Sequence, residues 1–512
     1  MTSLPKIARF AEKKNLACRE YPFIITPNPG DSSYSESADI LFRISAGDDK
    51  SRLRCIYGPA TYGSMIITVT NGSGANAYCR LDGSSSALFQ RITTNGPGGV
   101  LEEFNKPNIY IPCVFDLNVS PLSRVNYWSV FGNNYLPQNE DKTYAAGAAN
   151  ANSLVLDTET NDIAINIANA FGVADVKSTL ALLATQLQTD RKFLNSDVRM
   201  GYKFNDGLHI ANGGTSSAAL SFILPSILGQ FSKKLFPISE LSQSSLDITL
   251  MTETASKALI STIAATGAAG TFTYSLTKLR LNLSMVEFND VITSVIRNSY
   301  NSSYMIPCNS IQHFSQNITA TTAGSFTLSF NATLQNAKGI LFAFIDADNN
   351  VTQYPSLTGR TSLGITQAQL TIGPYNFPAN RFLSYDGTTA MASLVQHPNY
   401  FLSAMKYFGN HIDSEMTCST NIREFNTCGA LANGSFVLAF SLEGIHEQDD
   451  EFRSTIPLDG YTTFLNFTTG VNAASATTVH AFILYEFDVV IQAGVAIAMN
   501  KLTAMNGTTL YK

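Results

Sequence analysis

Glu102 and Glu103, two adjacent carboxylates beside a glycine cluster in "LDGSSSALFQRITTNGPGGVLEEFNKPN" (Leu81–Asn108), are residues that could do chemistry. A phosphate cradle or an acid/base pair are the two chemistries such a stretch could serve. The cradle fails because "NGPGGVLEEF" carries no lysine at the spacing that reaches a phosphate, which leaves a glycine turn. The pair fails on geometry: neighbours on a strand point to opposite faces and cannot flank one bond as glycosidase carboxylates do. One solvated and one structural carboxylate are therefore expected.

Other constellations fall to similar arguments. "DADNN" (Asp346–Asn350) opens like a calcium loop, but Val351 stands where the sharp turn needs glycine and Leu357 where a bidentate glutamate belongs. A hairpin turn is expected there instead. "EGIHEQDDEF" gathers Glu443, His446, Glu447, Asp449, Asp450 and Glu451, which reads as a solvated loop or subunit contact; the alternative is a β-sandwich hydrolase using these carboxylates. Six histidines without an HExxH pattern argue against a zinc hydrolase. "NGGTSSAAL" offers serines without a GxSxG elbow or an arguable base, and a single tryptophan, Trp128, makes no stacking platform. No catalytic, cofactor-binding or metal-ligating residue is assigned, and no cofactor or small-molecule substrate is expected.

The elements that would hold these residues are mostly strands. In "TVHAFILYEFDVVI" the residues Val479, Ala481, Ile483, Tyr485, Phe487, Val489 and Ile491 share one face and Glu486 and Asp488 the other, the period of a half-buried strand. "SFTLSF" and "LDITL" alternate likewise. In "TFTYSLTKLRLNLSMVEF" the apolar phase shifts between Leu276 and Leu279, which predicts a bulge near Thr277–Lys278. Helices are predicted near 175–189, from Val176, Leu180, Leu183 and Leu187, near 398–408, and over 289–299 as a connector. Each of the first two precedes three strands: 220–224, 246–252 and 271–288 after one, 435–442, 461–468 and 479–492 after the other. The chain thus repeats one order of elements twice. The expected fold is all-β, two consecutive eight-stranded jelly rolls with a few flanking helices, divided as an arm 1–20, a first roll 21–295 with large loops and a second roll 296–512.

Composition restricts the function. At 512 residues the chain exceeds one core, and only 14% of it is charged against a hydrophobic share of 45%. Ser, Thr, Asn and Gly supply the polar surface instead, and these bury against a neighbour at the cost of hydrogen bonds alone. A net charge of −6 argues against a body that wraps nucleic acid. Seven cysteines without a CxxC pair read as reduced thiols. The start of the chain does not read as a signal peptide, and Val479–Met499 is too interrupted by charge for a membrane span. Lys6, Arg9, Lys13, Lys14 and Arg19, interleaved with Ile7, Phe10 and Leu16, could touch anionic lipid, nucleic acid or an acidic partner, or form a solvated arm.

Several stretches in order resemble double jelly-roll major capsid proteins of virophages, polintons and polinton-like viruses, in the lineage of the adenovirus hexon. They are "LDGSSSALFQRI" to "GGVLEEFNKPN", "LSFILPSILGQFSKKLFPISELSQSSLDITLMTE" and "YSLTKLRLNLSMVEFNDVI", then "AKGILFAFIDADNNVTQYP", "TIGPYNFP", "HPNYFLSAMKYFG" and "GSFVLAFSLEGIHEQDDEFRSTIPLDG". Residues 120–215 match poorly. The resemblance implies a non-enzymatic subunit of an icosahedral DNA-virus shell, present in the virion and assembled in the cytoplasm or nucleus of the infected cell. Its partners would be two further copies in a homotrimer, neighbouring capsomers, penton and minor capsid proteins, and an internal membrane or genome through the N-terminal arm. The alternative is a carbohydrate-binding or adhesive β-sandwich protein of a cell or virion surface.

Overall fold

The computed structural model describes residues 18–119, 208–346, 359–383, 398–408, 425, 435–442 and 455–499, less the short stretches 31, 46–50, 73–76, 82–83, 211, 232–234, 242–244, 262–271, 301–302, 320–322, 471–475 and 493. The predicted helix 175–189, Trp128, "DADNN" beyond Asp346, the 443–451 carboxylates and the arm up to residue 17 lie outside the described residues.

The strands of the first portion are β1 (Cys18–Ile25), β2 (Asp39–Ser45), β3 (Arg54–Ile56), β4 (Tyr62–Asn71), β5 (Ala77–Leu81), β6 (Phe89–Gly96), β7 (Gly99–Asn105), β8 (Leu208–Ile210), β9 (Thr215–Ile223), β10 (Phe236–Pro237), β11 (Ser245–Thr252), β12 (Leu259–Ser261) and β13 (Phe272–Phe288). Helix α1 (Pro107–Asn118) follows β7, and helix α2 (Asp290–Tyr300) connects to the second portion. There follow β14 (Ser303–Ile318), β15 (Ser325–Phe330), β16 (Ala337–Asp346), β17 (Ile365–Ile372), β18 (Tyr375–Leu383), helix α3 (Pro398–Tyr407), β19 (Leu438–Ser441), β20 (Thr463–Thr469), β21 (Thr477–Gln492) and β22 (Val495–Met499).

The pairing reveals the same winding twice. In the second portion β14–β21 form two sheets, ordered β14-β21-β16-β19 and β15-β20-β17-β18: first, eighth, third, sixth against second, seventh, fourth, fifth. In the first portion β1, β2, β4, β6, β7, β9, β11 and β13 repeat that order as β1-β13-β4-β9 and β2-β11-β6-β7. This is the jelly-roll order, so the eight-stranded count holds for the framework of each portion. Additional strands extend it: β3 and β10 continue the first sheet, β22 adds to β21, and β5, β8 and β12 make a separate three-stranded sheet that the alternation pattern did not foretell.

Local chemistry accounts for the elements. The predicted bulge in β13 is present, with pairing to β4 slipping between Thr277 and Arg280 and Lys278 at φ +50°. The connector and the helix at 398–407 also form as predicted. Helix α1 was not expected, because "PNIYIPCVFDLN" is apolar almost all round and buried from Pro107 to Leu117 except at Val114 and Asp116, so it shows no polar face. It starts with Pro107 in its first turn, behind Lys106 at φ +60°. In each roll a helix beginning Pro-Asn follows the fifth strand: Pro107-Asn108 after β7, Pro398-Asn399 after β18.

β21 differs from its predicted half-buried state. Its start is buried on both faces, since Phe482 and His480 are as enclosed as Ala481 and Val479. Glu486, expected on an exposed face, is buried and pairs with Lys338 at 2.9 Å. The second face of the strand has no solvent side at its start because α1 packs over it, Tyr110 lying in the same core as Phe482.

Candidate functional site

The two rolls are joined by buried contacts rather than by a linker alone. β14 and β21 are long enough to serve two cores: Tyr304, Ile306, Cys308, Phe487, Val489 and Ile491 pack with the first roll, while Ile311, Val479, Ala481 and Ile483 belong to the second. In the other direction, α1 of the first roll seals the second core with Ile109, Tyr110, Cys113 and Leu117. Tyr110 meets Phe482 at 5.3 Å between ring centroids.

Polar latches cross the same boundary. Glu102 on β7 is 2% exposed and accepts hydrogen bonds from the Ile227 amide at 2.9 Å and the Ser310 hydroxyl of β14 at 2.8 Å. Burial pushes its carboxyl up to about 7, against the pull of the Ile227, Ser310 and Ser226 hydrogen bonds. Arg360 of the second roll is fully buried and donates to Asp116 of α1 and, at 3.2 Å each, to the carbonyls of Phe436 and Ser435. Within the first roll, at the base of α1, Lys106 and Asn108 both reach Glu253, at 3.1 and 2.9 Å. Burial works against the charge on Glu253, yet the Lys106 ammonium and the Thr254 amide hold its carboxyl below the usual range.

A histidine pair sits on the α1 side of the second roll. His313 Nε2 and His480 Nδ1 are 3.0 Å apart, their rings are stacked at 5.2 Å, and His313 also meets Phe482 at 4.9 Å. Burial pushes His313 down to about 4, aided by Lys106. His480 falls to about 3 through burial, then through His313, Lys106 and Lys257.

The outward face formed by three strands of the second roll is polar without charge. Strands β15, β20 and β17 ("SFTLSF", "TFLNFTT" and "ITQAQLTI") contain no charged residue. Their outward side chains bond to one another in rows: Ser325 to Thr468 at 3.0 Å, Thr327 to Asn466 at 2.8 Å, and Thr371 to Asn376 of β18 at 2.9 Å. Phe464 and Tyr375 stand exposed nearby. Such a face presents hydrogen-bonding groups whose desolvation is far cheaper than that of Lys or Glu.

No protein-family model matches the sequence, and no curated protein does. Solved structures do. A structure of the Sputnik virophage determined by cryo-electron microscopy aligns at 12% identity over 96% of this chain and 91% of that one, with a TM-score of 0.53. The capsid of the virus PBCV-1 aligns at 9% identity over 94% and 96%, with a TM-score of 0.52. The Faustovirus major capsid protein aligns at 8% identity over 93% and 91%, with a TM-score of 0.51. This chain has the double jelly-roll fold of viral major capsid proteins.

Within this double jelly roll the residues singled out for chemistry fall apart. Glu102 and Glu103 take opposite faces, the first buried in the latch, the second exposed and accepting from Asn105 at 3.1 Å. The glycines between them and β6 make the hairpin, with Gly99 at φ +121°. Gly98 lies against β22, where an added Cβ would meet the Ala496 carbonyl at 2.7 Å. The "NGGTSSAAL" serines lie on β9, Ser217 bonded to Thr68 at 2.8 Å. Among the described residues no group of three or more His, Cys, Asp and Glu is placed to hold a metal, and no helix is long and apolar enough to cross a membrane. Cys18, Cys55, Cys113 and Cys308 are free thiols.

Sequence reasoning missed the Arg360–Asp116 latch and the histidine pair. Their members lie 244 and 167 positions apart, and only the strand register brings them together. A signal for α1 was present in the echo of Pro107-Asn108 in Pro398-Asn399.

Proposed function

We propose that the chain is a viral major capsid protein that works by self-assembly and without catalysis. Three copies form a homotrimer, and because each chain carries two similar rolls, a three-fold object presents six similar corners and tiles a six-fold lattice in an icosahedral shell. The observation that carries this reading is the same eight-strand winding twice in one chain, fused by buried latches, with an uncharged polar face on the second roll. Rigid fusion supports a tile of fixed shape; the uncharged face supports burial against neighbouring capsomers.

The division into an arm (1–20), a first roll (21–295) and a second roll (296–512) is part of the proposal, although Cys18–Glu20 already pair with β13. So are contacts with penton and minor capsid proteins, an arm that reaches an internal membrane or the genome, and assembly in the cytoplasm or nucleus of the infected cell. Light scattering of the purified chain tests the first step: a mass near three times 55.4 kDa is expected. A monomer that persists at high concentration would contradict it.

A further inference from the structure

The second roll contains an apolar cleft that its own side chains do not fill. β14 and β15 are the edge strands of the two facing sheets, and between them opens a cavity of about 270 Å³. Leu328, Phe342, Val479 and Ala481 are buried along its floor, and the half-buried rings of Phe314 and Phe330, 5.7 Å apart, flank its mouth. Ser315, Gln316 and Ser329 lie exposed at the rim.

The cleft opens to solvent at its mouth, where Ser315, Gln316 and Ser329 line it, and only its floor is hydrocarbon. Water on the floor gains little, since it needs two to four polar partners and these lie only at the rim. None of the lining residues is ionisable, so a charged group would lose its hydration without compensation. An occupant must therefore be neutral and apolar along its buried length, with any polar end left at the rim beside Gln316. At roughly 30 Å³ per methylene-sized group, the space holds about nine of them.

We propose that this cleft is a binding site for a medium-length alkyl chain, held between the two sheets of the second roll with its polar end at Gln316. The site stands independently of the capsid reading, because it lies within one roll of one chain. An alkyl chain there would bridge the two edges where the sheets lack each other's contacts, so binding stabilises the sandwich on its open side.

Calorimetric titration of the full-length chain with unbranched alcohols from six to twelve carbons tests the proposal. The expected result is one site per chain, with affinity rising about three- to fourfold per added carbon until the cleft is full near nine carbons, and no further gain beyond. Ala481→Phe and, separately, Val479→Met fill the floor and are expected to weaken nonanol binding more than tenfold. If neither variant folds, the chain-length series on the unaltered protein decides. Absence of saturable binding, affinity that climbs steadily through twelve carbons, or a folded Ala481→Phe variant that binds nonanol as tightly as the unaltered chain would each overturn the proposal.

Discussion

Replacing Glu102 by Gln separates the cost of a buried charge from the value of the latch it forms. The carboxyl is enclosed and bonded to Ile227 and Ser310, and burial raises it from an ordinary 4.5 to about 7. A carboxyl raised on folding contributes stability that is complete below the unfolded value and lost as pH rises through the folded one, because between the two the folded state holds the proton more tightly. At 1.36 kcal/mol per unit, integration of the two titrations from pH 5 to pH 8 gives a loss of about 2.5 kcal/mol in the unaltered protein. Glu102→Gln keeps the shape but cannot ionise, so its stability relative to the unaltered chain should improve by about 2.5 kcal/mol over that span. Guanidinium titrations of both proteins at pH 5, 6, 7 and 8 measure this, and the difference between proteins cancels every other titrating group. A difference that stays constant within about 0.5 kcal/mol, or moves the other way, would refute the reasoning that Glu102 is buried without a compensating cation.

Further perturbations probe the other contacts. His313 and His480 are held below their ordinary 6.5, so stability is lost as pH falls through 6.5, by about 2 kcal/mol per ring between pH 7.5 and 5; the double His→Gln variant should lack that loss in the same titration. Arg360→Met leaves Asp116 without its partner in the described latch and should destabilise by about 3–5 kcal/mol, whereas Arg360→Met with Asp116→Leu should recover much of it, a contrast read from a double-mutant cycle. Gly98→Val drives a side chain into the Ala496 carbonyl and β22, and lowered soluble yield together with a lower unfolding midpoint is expected. Asn466→Lys with Gln369→Lys places like charges on the uncharged face; folding should change by no more than about 1 kcal/mol while ordered arrays disappear from micrographs.

The fold was legible where one face of an element met solvent. "SLDITLMT" alternates buried and half-exposed positions along β11, and the phase slip in β13 marked its bulge because inward residues had to stay inward. The same logic failed where both faces were covered. α1 shows no polar face because it lies between two rolls, and Glu486 could not be recognised as buried because its partner Lys338 is far off in sequence. Low charge content predicted an uncharged polar surface, and which strands carry one follows from the register that aligns Ser325 with Thr468 and Thr327 with Asn466. Glu102 was legible only as structural: the serine it bonds, Ser310, sits 208 residues later.

On the reading proposed above, two fused rolls per chain make a tile with six similar corners. Negative-stain electron microscopy of the purified chain, imaged as single particles and after concentration, tests it most directly. Flat particles with hexagonal outlines and true three-fold symmetry that pack into hexagonal sheets are expected. Isolated elongated monomers, or oligomers of two-fold or four-fold symmetry that do not tile, would contradict it.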